Sequence, residues 1–110
     1  MPSVFTKIIE RKLPAEILFE SEHVIVIKDI HPVAPVHVLI IAKKEIPSVQ
    51  YLRDEDMYLM KELMLAVQEA ARLLGLTDYR LITNNGPEAG QSVFHLHFHL
   101  IGGRRLGILG

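Results

Sequence analysis

Three histidines alternate with apolar residues in the segment 95–101, which reads HLHFHLI. Side chains alternate between the two sides of a β-strand, so His95, His97 and His99 are predicted to project from one face, roughly 6.6 Å apart. A buried imidazole needs hydrogen-bond partners for both ring nitrogens, so a row of three is a poor choice for packing alone. The apolar residues around them are predicted to pack under a helix: Phe94, Leu96, Phe98 and Leu100.

A loop with two glycines, residues 84–92, comes directly before the histidines. Gly86 and Gly90 allow conformations in which backbone N–H groups converge on an anion, and Ser92 adds a hydroxyl. The loop lacks the Gly-Lys-Ser/Thr ending of a Walker P-loop. Because a neutral imidazole is a good nucleophile near neutral pH, an anion site beside the histidines indicates phosphoryl transfer.

Two other interpretations of the histidines stay open at this point. They can lie on a solvated face of the sheet, or they can hold zinc as a three-histidine site. Zinc requires nitrogens about 2.0–2.1 Å from one point, which three ligands on one short strand reach only by leaning sharply inward. The sequence favours nucleophilic catalysis over both.

The elements that position these residues are predicted from apolar periodicity. A short helix is expected over 4–12, with Ser3 as its N-cap, and a long helix over 54–74, ending at Gly75. Five strands are expected over 17–20, 24–28, 36–42, 79–83 and 92–101. Short links between the early strands favour an α+β domain with an antiparallel sheet. The buried stripe of the long helix is predicted to comprise Met57, Met60, Leu63, Met64, Val67, Ala71 and Leu74.

The overall composition limits the classes of partner. The 110 residues are 49% hydrophobic and 23% charged, which is typical of one globular domain, and we expect neither a membrane span nor a signal peptide. The net charge of −1 provides no broad positive field for a long nucleic acid. With no cysteine, thiolate metal sites and disulfides are impossible, and a cytoplasmic location is expected.

The triad and its flanks resemble the histidine-triad (HIT) family, and most closely its Hint branch of nucleotide-binding phosphoramidases. The similarity runs from about residue 4 to residue 105. Its motifs are FTKII at 5–9, Pro14-Ala15, Asp29-Ile30, Pro32, Ala34, Pro35, His37, GQSV at 90–93 and GGR at 102–104. The resemblance implies a single HIT domain over 1–110, with a five-stranded antiparallel sheet, one long helix and a short N-terminal helix. It also implies a homodimer in which two sheets become continuous.

The resemblance implies hydrolysis of purine nucleoside phosphoramidates, and of acyl-nucleotides as a possible second class, through a covalent nucleotidyl-histidine. His97 would be the nucleophile on the α-phosphorus, oriented by His95 through its main-chain carbonyl. His99 and Ser92 would contact the phosphate and help to protonate the leaving group, and His37 would complete the proton relay.

The remaining roles implied by the resemblance concern substrate binding. Asp29 would bind the ribose hydroxyls. The phosphate side would be held by Asn84, Gly90, Gln91 and the Val93 backbone. The purine and ribose would lie against Phe5, Ile8, Leu13, Ile27, Lys28, Ile30 and Leu39. No cofactor is expected, and no metal, because Ser3 and Thr6 replace a cysteine pair that helps some HIT proteins to bind structural zinc.

Two alternative functions remain on sequence grounds. Residues 86–91 also resemble the Fhit branch, which cleaves dinucleoside polyphosphates. The chain can also be a nucleotide-binding adaptor whose hydrolysis is incidental.

Overall fold

Five short apolar runs form one antiparallel sheet in the computed structural model, which describes residues 2–108. The helices are α1 (Val4–Ile9) and α2 (Tyr58–Leu73). The strands are β1 (Ile17–Glu20), β2 (Val24–Lys28), β3 (Val36–Ala42), β4 (Tyr79–Ile82) and β5 (His97–Gly102). The strand order is β1-β2-β3-β5-β4. The predicted α+β fold, with a five-stranded sheet, one long helix and a short N-terminal helix, is confirmed.

The alternation of side chains gives the sheet two different faces. On one face, even-numbered residues of β2, β3 and β5 pack against α2 and form the larger core. On the other face, odd-numbered residues pack against α1 in a smaller apolar cluster. We call this second side the histidine face, because His97 and His99 of β5 belong to it.

The short helix begins as predicted and ends early. Ser3 is the N-cap, and its hydroxyl oxygen accepts a hydrogen bond from the Thr6 N–H at 3.0 Å. The helix stops at Ile9 rather than at residue 12. Arg11 has a φ of +63°, which lies outside the range of a right-handed α-helix. The buried residues Phe5 and Ile8 hold α1 against the histidine face.

The long helix begins four residues later than predicted. Residues Asp54–Asp56 form a 3₁₀ turn, because the buried Asp56 carboxylate accepts hydrogen bonds from the Lys44 ammonium at 2.5 Å and from the Arg53 N–H at 3.1 Å. The prediction that Met57 lies on the buried stripe is wrong, since it precedes the helix and is 49% exposed. The buried side of α2 consists of Leu59, Leu63, Ala66, Val67, Ala70 and Ala71.

The last strand is shorter than the predicted 92–101 and begins at His97. Before it, Leu96 donates its N–H to the Ile46 carbonyl at 2.6 Å and accepts from the Ala42 N–H at 3.2 Å. These contacts draw the chain toward the segment after β3 instead of along β4. The prediction that Phe94 lies in the core is therefore wrong, since its side chain is 52% exposed. None of the helices within residues 2–108 combines the length and hydropathy needed to cross a bilayer.

Leu63→Ala tests the α2 core, because Leu63 is fully buried in the larger cluster. The expected loss is about 2–5 kcal/mol in the free energy of unfolding, from lost burial and the cavity left behind. The matched control is Leu65→Ala on the same helix, where the side chain is 49% exposed and the expected loss is below about 1 kcal/mol. Urea unfolding measures both. Equal losses would contradict the packing described.

Candidate active site

A cavity of about 540 Å³ opens on the histidine face. It lies among α1, the ends of β2, β3 and β5, and the loop before β5, a size that suits a small organic ligand. All twelve residues predicted to bind substrate line it: Phe5, Ile8, Leu13, Ile27, Lys28, Asp29, Ile30, Leu39, Asn84, Gly90, Gln91 and Val93. Of the predicted catalytic residues, Ser92, His97 and His99 line it. Sequence reasoning did not include the wall residues Val4, Pro14, Ala15 and His31.

The strand register produces the floor of the cavity. His99 pairs with Leu39 across β5 and β3, and Leu39 pairs with Ile27 across β3 and β2. One row across the sheet therefore contains the His99 imidazole on β5, followed by the aliphatic side chains of Leu39 and Ile27 on β3 and β2. Phe5 covers the same region from α1, with its ring edge-on to that of His97 at 4.9 Å between centroids. The cavity has an apolar part beside a polar, histidine-bearing part.

One hydrogen bond decides the protonation of the His97 ring. Nδ1 of His97 lies 2.7 Å from the His95 carbonyl oxygen, which can only accept, so the ring proton is on Nδ1. Nε2 therefore carries the free lone pair. Burial lowers the pKa of His97 below its ordinary value of 6.5, which keeps the ring neutral near neutral pH. The arrangement gives His97 the electronic form of a nucleophile.

A second chain of hydrogen bonds gives His99 the opposite form. The Val33 N–H donates to Nδ1 of His37 at 3.2 Å, so the His37 proton is on Nε2. That nitrogen lies 2.9 Å from Nδ1 of His99 and donates to it, which leaves the His99 proton on its own Nε2. Burial, with the neighbouring His97 and His37, lowers the pKa of His99 to about 4. His99 is thus a neutral ring that offers an N–H.

The three triad histidines lie on the α1 side of the sheet, His95 beside Ser3 and Phe5, and only two of them line the cavity. His95 is fully buried, and its Nε2–H donates to the Ala42 carbonyl at 2.6 Å. His97 and His99 alone of the triad line the cavity, with ring centroids 5.2 Å apart. His37, on β3, is buried behind His99. His95 itself precedes β5, which begins only at His97.

The glycine loop uses much of its own hydrogen-bonding capacity. Gly86 and Gly90 both have positive φ, 97° and 102°, as the sequence suggested. However, the Gly86 N–H donates to the Gln91 side-chain oxygen at 2.8 Å, and the Gly90 N–H donates to the Pro87 carbonyl at 3.0 Å. The Gln91 amide also donates to two main-chain carbonyls, so this side chain holds the loop together. Asn84, Ser92 and Val93 of this region also line the cavity.

Asp29, His37 and His99 form a compact polar group at the cavity. Their potential ligand atoms all lie within 4.8 Å of one another, a spacing that can suit a cation. Asp29 Oδ2 is 3.4 Å from His37 Nε2, and Oδ1 accepts the His31 N–H at 2.7 Å. Because the Val33 contact places the His37 proton on Nε2, this nitrogen donates in the arrangement described and has no lone pair for a metal.

Several groups that prepare the site have no sequence signal. The Val33 N–H and the Ala42 carbonyl are main-chain groups whose role depends only on where the folded chain places them. Arg104 donates to the Val33 carbonyl at 3.0 Å and so holds the loop that contacts His37. In the sequence, Arg104 was noted only as part of the GGR motif that resembles the HIT family, without a role.

Comparison with known proteins agrees with this geometry. A family model described as HIT domain matches residues 10–106. The chain belongs to the HIT family. This HIT protein is 51% identical over 108 residues to a HIT-like protein of Chlamydia pneumoniae, with 97% of this chain and 98% of the relative covered.

Solved structures extend the comparison. A HIT family hydrolase from Clostridium thermocellum is 49% identical, with a TM-score of 0.94 and coverage of 97% of this chain and 95% of that one. A histidine triad nucleotide-binding protein from Candida albicans is 27% identical, with a TM-score of 0.82 and coverage of 99% and 86%. The sequence resemblance to the HIT family is confirmed.

Lowering the pH from about 6.5 toward about 4 is expected to destabilise this HIT protein. Burial lowers the pKa of His95, His97 and His99 below 6.5, so in this range the unfolded chain binds protons that the folded chain does not. The contribution of these neutral histidines to the free energy of unfolding is complete above pH 6.5. It is lost as the pH falls toward their pKa values in the folded protein, about 4 for His99. Urea unfolding across this range measures it.

His99→Asn separates this effect from carboxylate titration. The variant removes one of the three groups with a lowered pKa and leaves the acidic residues in place, so its free energy of unfolding should vary less between these pH values. An identical pH dependence in the variant and the parent would contradict the burial assigned to His99.

Proposed function

We propose that this HIT protein is a hydrolase that cleaves purine nucleoside phosphoramidates, AMP–amine conjugates above all and acyl-nucleotides as a second class. The observation that carries the proposal is the pair of opposite imidazole forms at one cavity: His97 with a free Nε2 lone pair and His99 with an Nε2–H. The matches to a HIT family hydrolase and to a nucleotide-binding HIT protein support it.

The cavity suits a mononucleotide in shape and polarity. A purine is flat and largely apolar on its faces, and Phe5, Ile8 and Leu39 provide apolar walls for it. Asp29 is a carboxylate at the same cavity and can accept hydrogen bonds from a ribose diol. Asn84, Ser92 and the Val93 N–H then lie on the side of the histidines and receive the phosphate.

The first step forms a bond between His97 Nε2 and the α-phosphorus, and the phosphorus–nitrogen bond to the amine breaks. The departing amine nitrogen is protonated through the Ser92 hydroxyl, which passes on its proton as it takes one from solvent, while the His99 Nε2–H hydrogen-bonds to the charge that develops on the phosphoryl oxygens. The His95 carbonyl keeps hold of Nδ1–H as positive charge develops on the His97 ring. The nucleotide is then attached to His97.

The second step uses water and restores the site. A water oxygen attacks the phosphorus, its proton leaves to solvent through the Ser92 hydroxyl, and the bond to His97 Nε2 breaks. Nucleoside monophosphate leaves, and His97 recovers its neutral form with the proton on Nδ1. Two displacements at one phosphorus allow the same donors to stabilise both transition states.

His97→Ala is expected to reduce kcat by at least about a thousandfold, because it removes the attacking atom. Binding of AMP, measured by calorimetry, should change little. Intact-mass spectrometry after brief mixing of the parent protein with adenosine phosphoramidate should show a nucleotidyl adduct, and peptide mapping should place it on His97.

The matched control is His23→Ala, since His23 lies in the β1–β2 turn against Tyr58 and outside the cavity. It should keep its rate. Normal turnover by the His97 variant, or an adduct mapped to another residue, would refute the mechanism.

A comparison of initial rates on adenosine phosphoramidate and on a dinucleoside polyphosphate tests the substrate class. The phosphoramidate should be preferred by at least about tenfold in kcat/KM, because the Ser92 hydroxyl offers the proton path that an amine leaving group needs. A preference for the polyphosphate would move this protein to the Fhit type of activity.

A homodimer is also part of this proposal. β4 is an edge strand of the sheet, and its outer backbone groups can continue the sheet into a second copy. Sedimentation at several protein concentrations measures the association.

A further inference from the structure

The hydroxyl of Ser3 links the first helix to the last strand, 92 residues away in sequence. Its oxygen accepts the Thr6 N–H at 3.0 Å as the N-cap of α1, and the same oxygen lies 2.6 Å from Nδ1 of His95. The Thr6 hydroxyl lies farther from that nitrogen, at 3.4 Å, and donates instead to Glu45 at 2.5 Å. Ser3 is therefore the main partner of the His95 ring on this side.

The direction of the Ser3–His95 bond is determined by the other side of the ring. Nε2 of His95 lies 2.6 Å from the Ala42 carbonyl, which can only accept, so the ring proton is on Nε2. Nδ1 then has a lone pair, and the Ser3 hydroxyl must donate its proton to it. The serine oxygen is thus donor to His95 and acceptor from Thr6 at the same time, which uses its one proton.

Glu45 fixes Ser3 itself. Its carboxylate accepts the Ser3 N–H at 2.8 Å as well as the Thr6 hydroxyl. These two hydrogen bonds are the largest causes that lower the pKa of Glu45, so the side chain is an anion and an acceptor at neutral pH. The start of α1 is in this way tied to the segment that follows β3.

The His95 ring in turn controls a backbone group of the site. His95 lies two residues before β5, outside the ladder that β5 forms with β3 and β4. The peptide that carries its carbonyl is held by the Leu96 N–H, which donates to the Ile46 carbonyl at 2.6 Å, and the fully buried ring adds two further anchors, Ala42 and Ser3. That carbonyl accepts the Nδ1–H of His97 at 2.7 Å.

We infer that Ser3 is a positioning residue for the hydrolysis proposed above: by donating to His95 it sets the carbonyl that keeps the proton of His97 on Nδ1. The inference rests on the proposed function for its kinetic consequence. Its structural part, control of the His97 tautomer, does not need a substrate. If the His95 carbonyl moves, the His97 proton can exchange to Nε2, and this nitrogen then has no lone pair for attack.

Ser3→Gly is the decisive variant, because glycine is nearly as acceptable as serine at an N-cap and has no hydroxyl to donate to His95. Ser3→Asp is a second variant, since aspartate also caps a helix and its carboxylate has no proton to donate. Ser3→Thr keeps the hydroxyl. Thr6→Val is the matched control: it removes a hydrogen bond to Glu45 from the same helix and leaves the Ser3–His95 contact in place.

The measurements are kcat and KM on adenosine phosphoramidate, the thermal midpoint, and long-range ¹H–¹⁵N spectra of the imidazoles without ligand. For Ser3→Gly and Ser3→Asp we expect kcat to fall about tenfold, the effect of one lost hydrogen bond, with KM nearly unchanged. The His97 signals should shift toward the Nε2–H tautomer. Ser3→Thr should restore the rate and the Nδ1–H signals, and Thr6→Val should lower the midpoint and leave both unchanged.

The inference is overturned if Ser3→Gly and Ser3→Asp keep the parent kcat and the Nδ1–H tautomer, or if Thr6→Val lowers kcat as much as they do, since Ser3 is then only a helix cap. Failure of the proposed function is a separate result: the parent protein would form no nucleotidyl adduct, while the tautomer spectra would still report whether Ser3 controls His97.

Discussion

The hydrogen bond from His97 Nδ1 to the His95 carbonyl is the contact on which the proposed chemistry of this HIT protein depends. An imidazole has two similar nitrogens, and only the one without a proton can attack phosphorus. A main-chain carbonyl cannot change its role from acceptor to donor, so it specifies the reactive nitrogen without itself titrating. The neighbouring Val33–His37–His99 chain uses the same principle with the opposite result and leaves His99 as a donor. The cavity therefore holds two imidazoles in opposite forms, one with a free Nε2 lone pair and one with an Nε2–H.

Burial of His95, His97 and His99 keeps their rings neutral and also makes the fold sensitive to acid. Each ring is withdrawn from water and its pKa falls, so the cluster is neutral at neutral pH and loses stability in acid. Neutrality allows the three triad imidazoles to lie close together without repulsion. Within residues 2–108, no buried side-chain nitrogen or oxygen lacks a hydrogen-bond partner. Polar groups can be buried in this number because the fold provides a main-chain or side-chain partner for each.

The two faces of the sheet differ in what they contact: one packs in the larger core, and the other borders the cavity. Even-numbered residues of β5 enter the core under α2, and the odd-numbered His97 and His99 face the cavity under α1. Apolar residues of β2 and β3 continue the same row on the cavity side. The large core supplies stability at a distance from the reacting atoms, and α1 serves as a wall whose position is set by hydrogen bonds at its first turn.

The local pattern of the sequence was sufficient for the element types, and the family resemblance predicted most of the residues that line the cavity. The alternation in 95–101 predicted that the histidines face away from α2, the 3.6-residue period predicted α2 itself, and the resemblance supplied the twelve predicted substrate-binding residues. Only the tertiary structure decided where β5 begins, that Phe94 is exposed and that Met57 precedes its helix, because these depend on the hydrogen bonds of Leu96 with Ile46 and Ala42 and of Asp56 with Lys44. The tautomers of His97 and His99 could not be predicted from the sequence either. They are set by carbonyl and N–H groups that every residue possesses, and these acquire a role only when folding brings them against a particular ring.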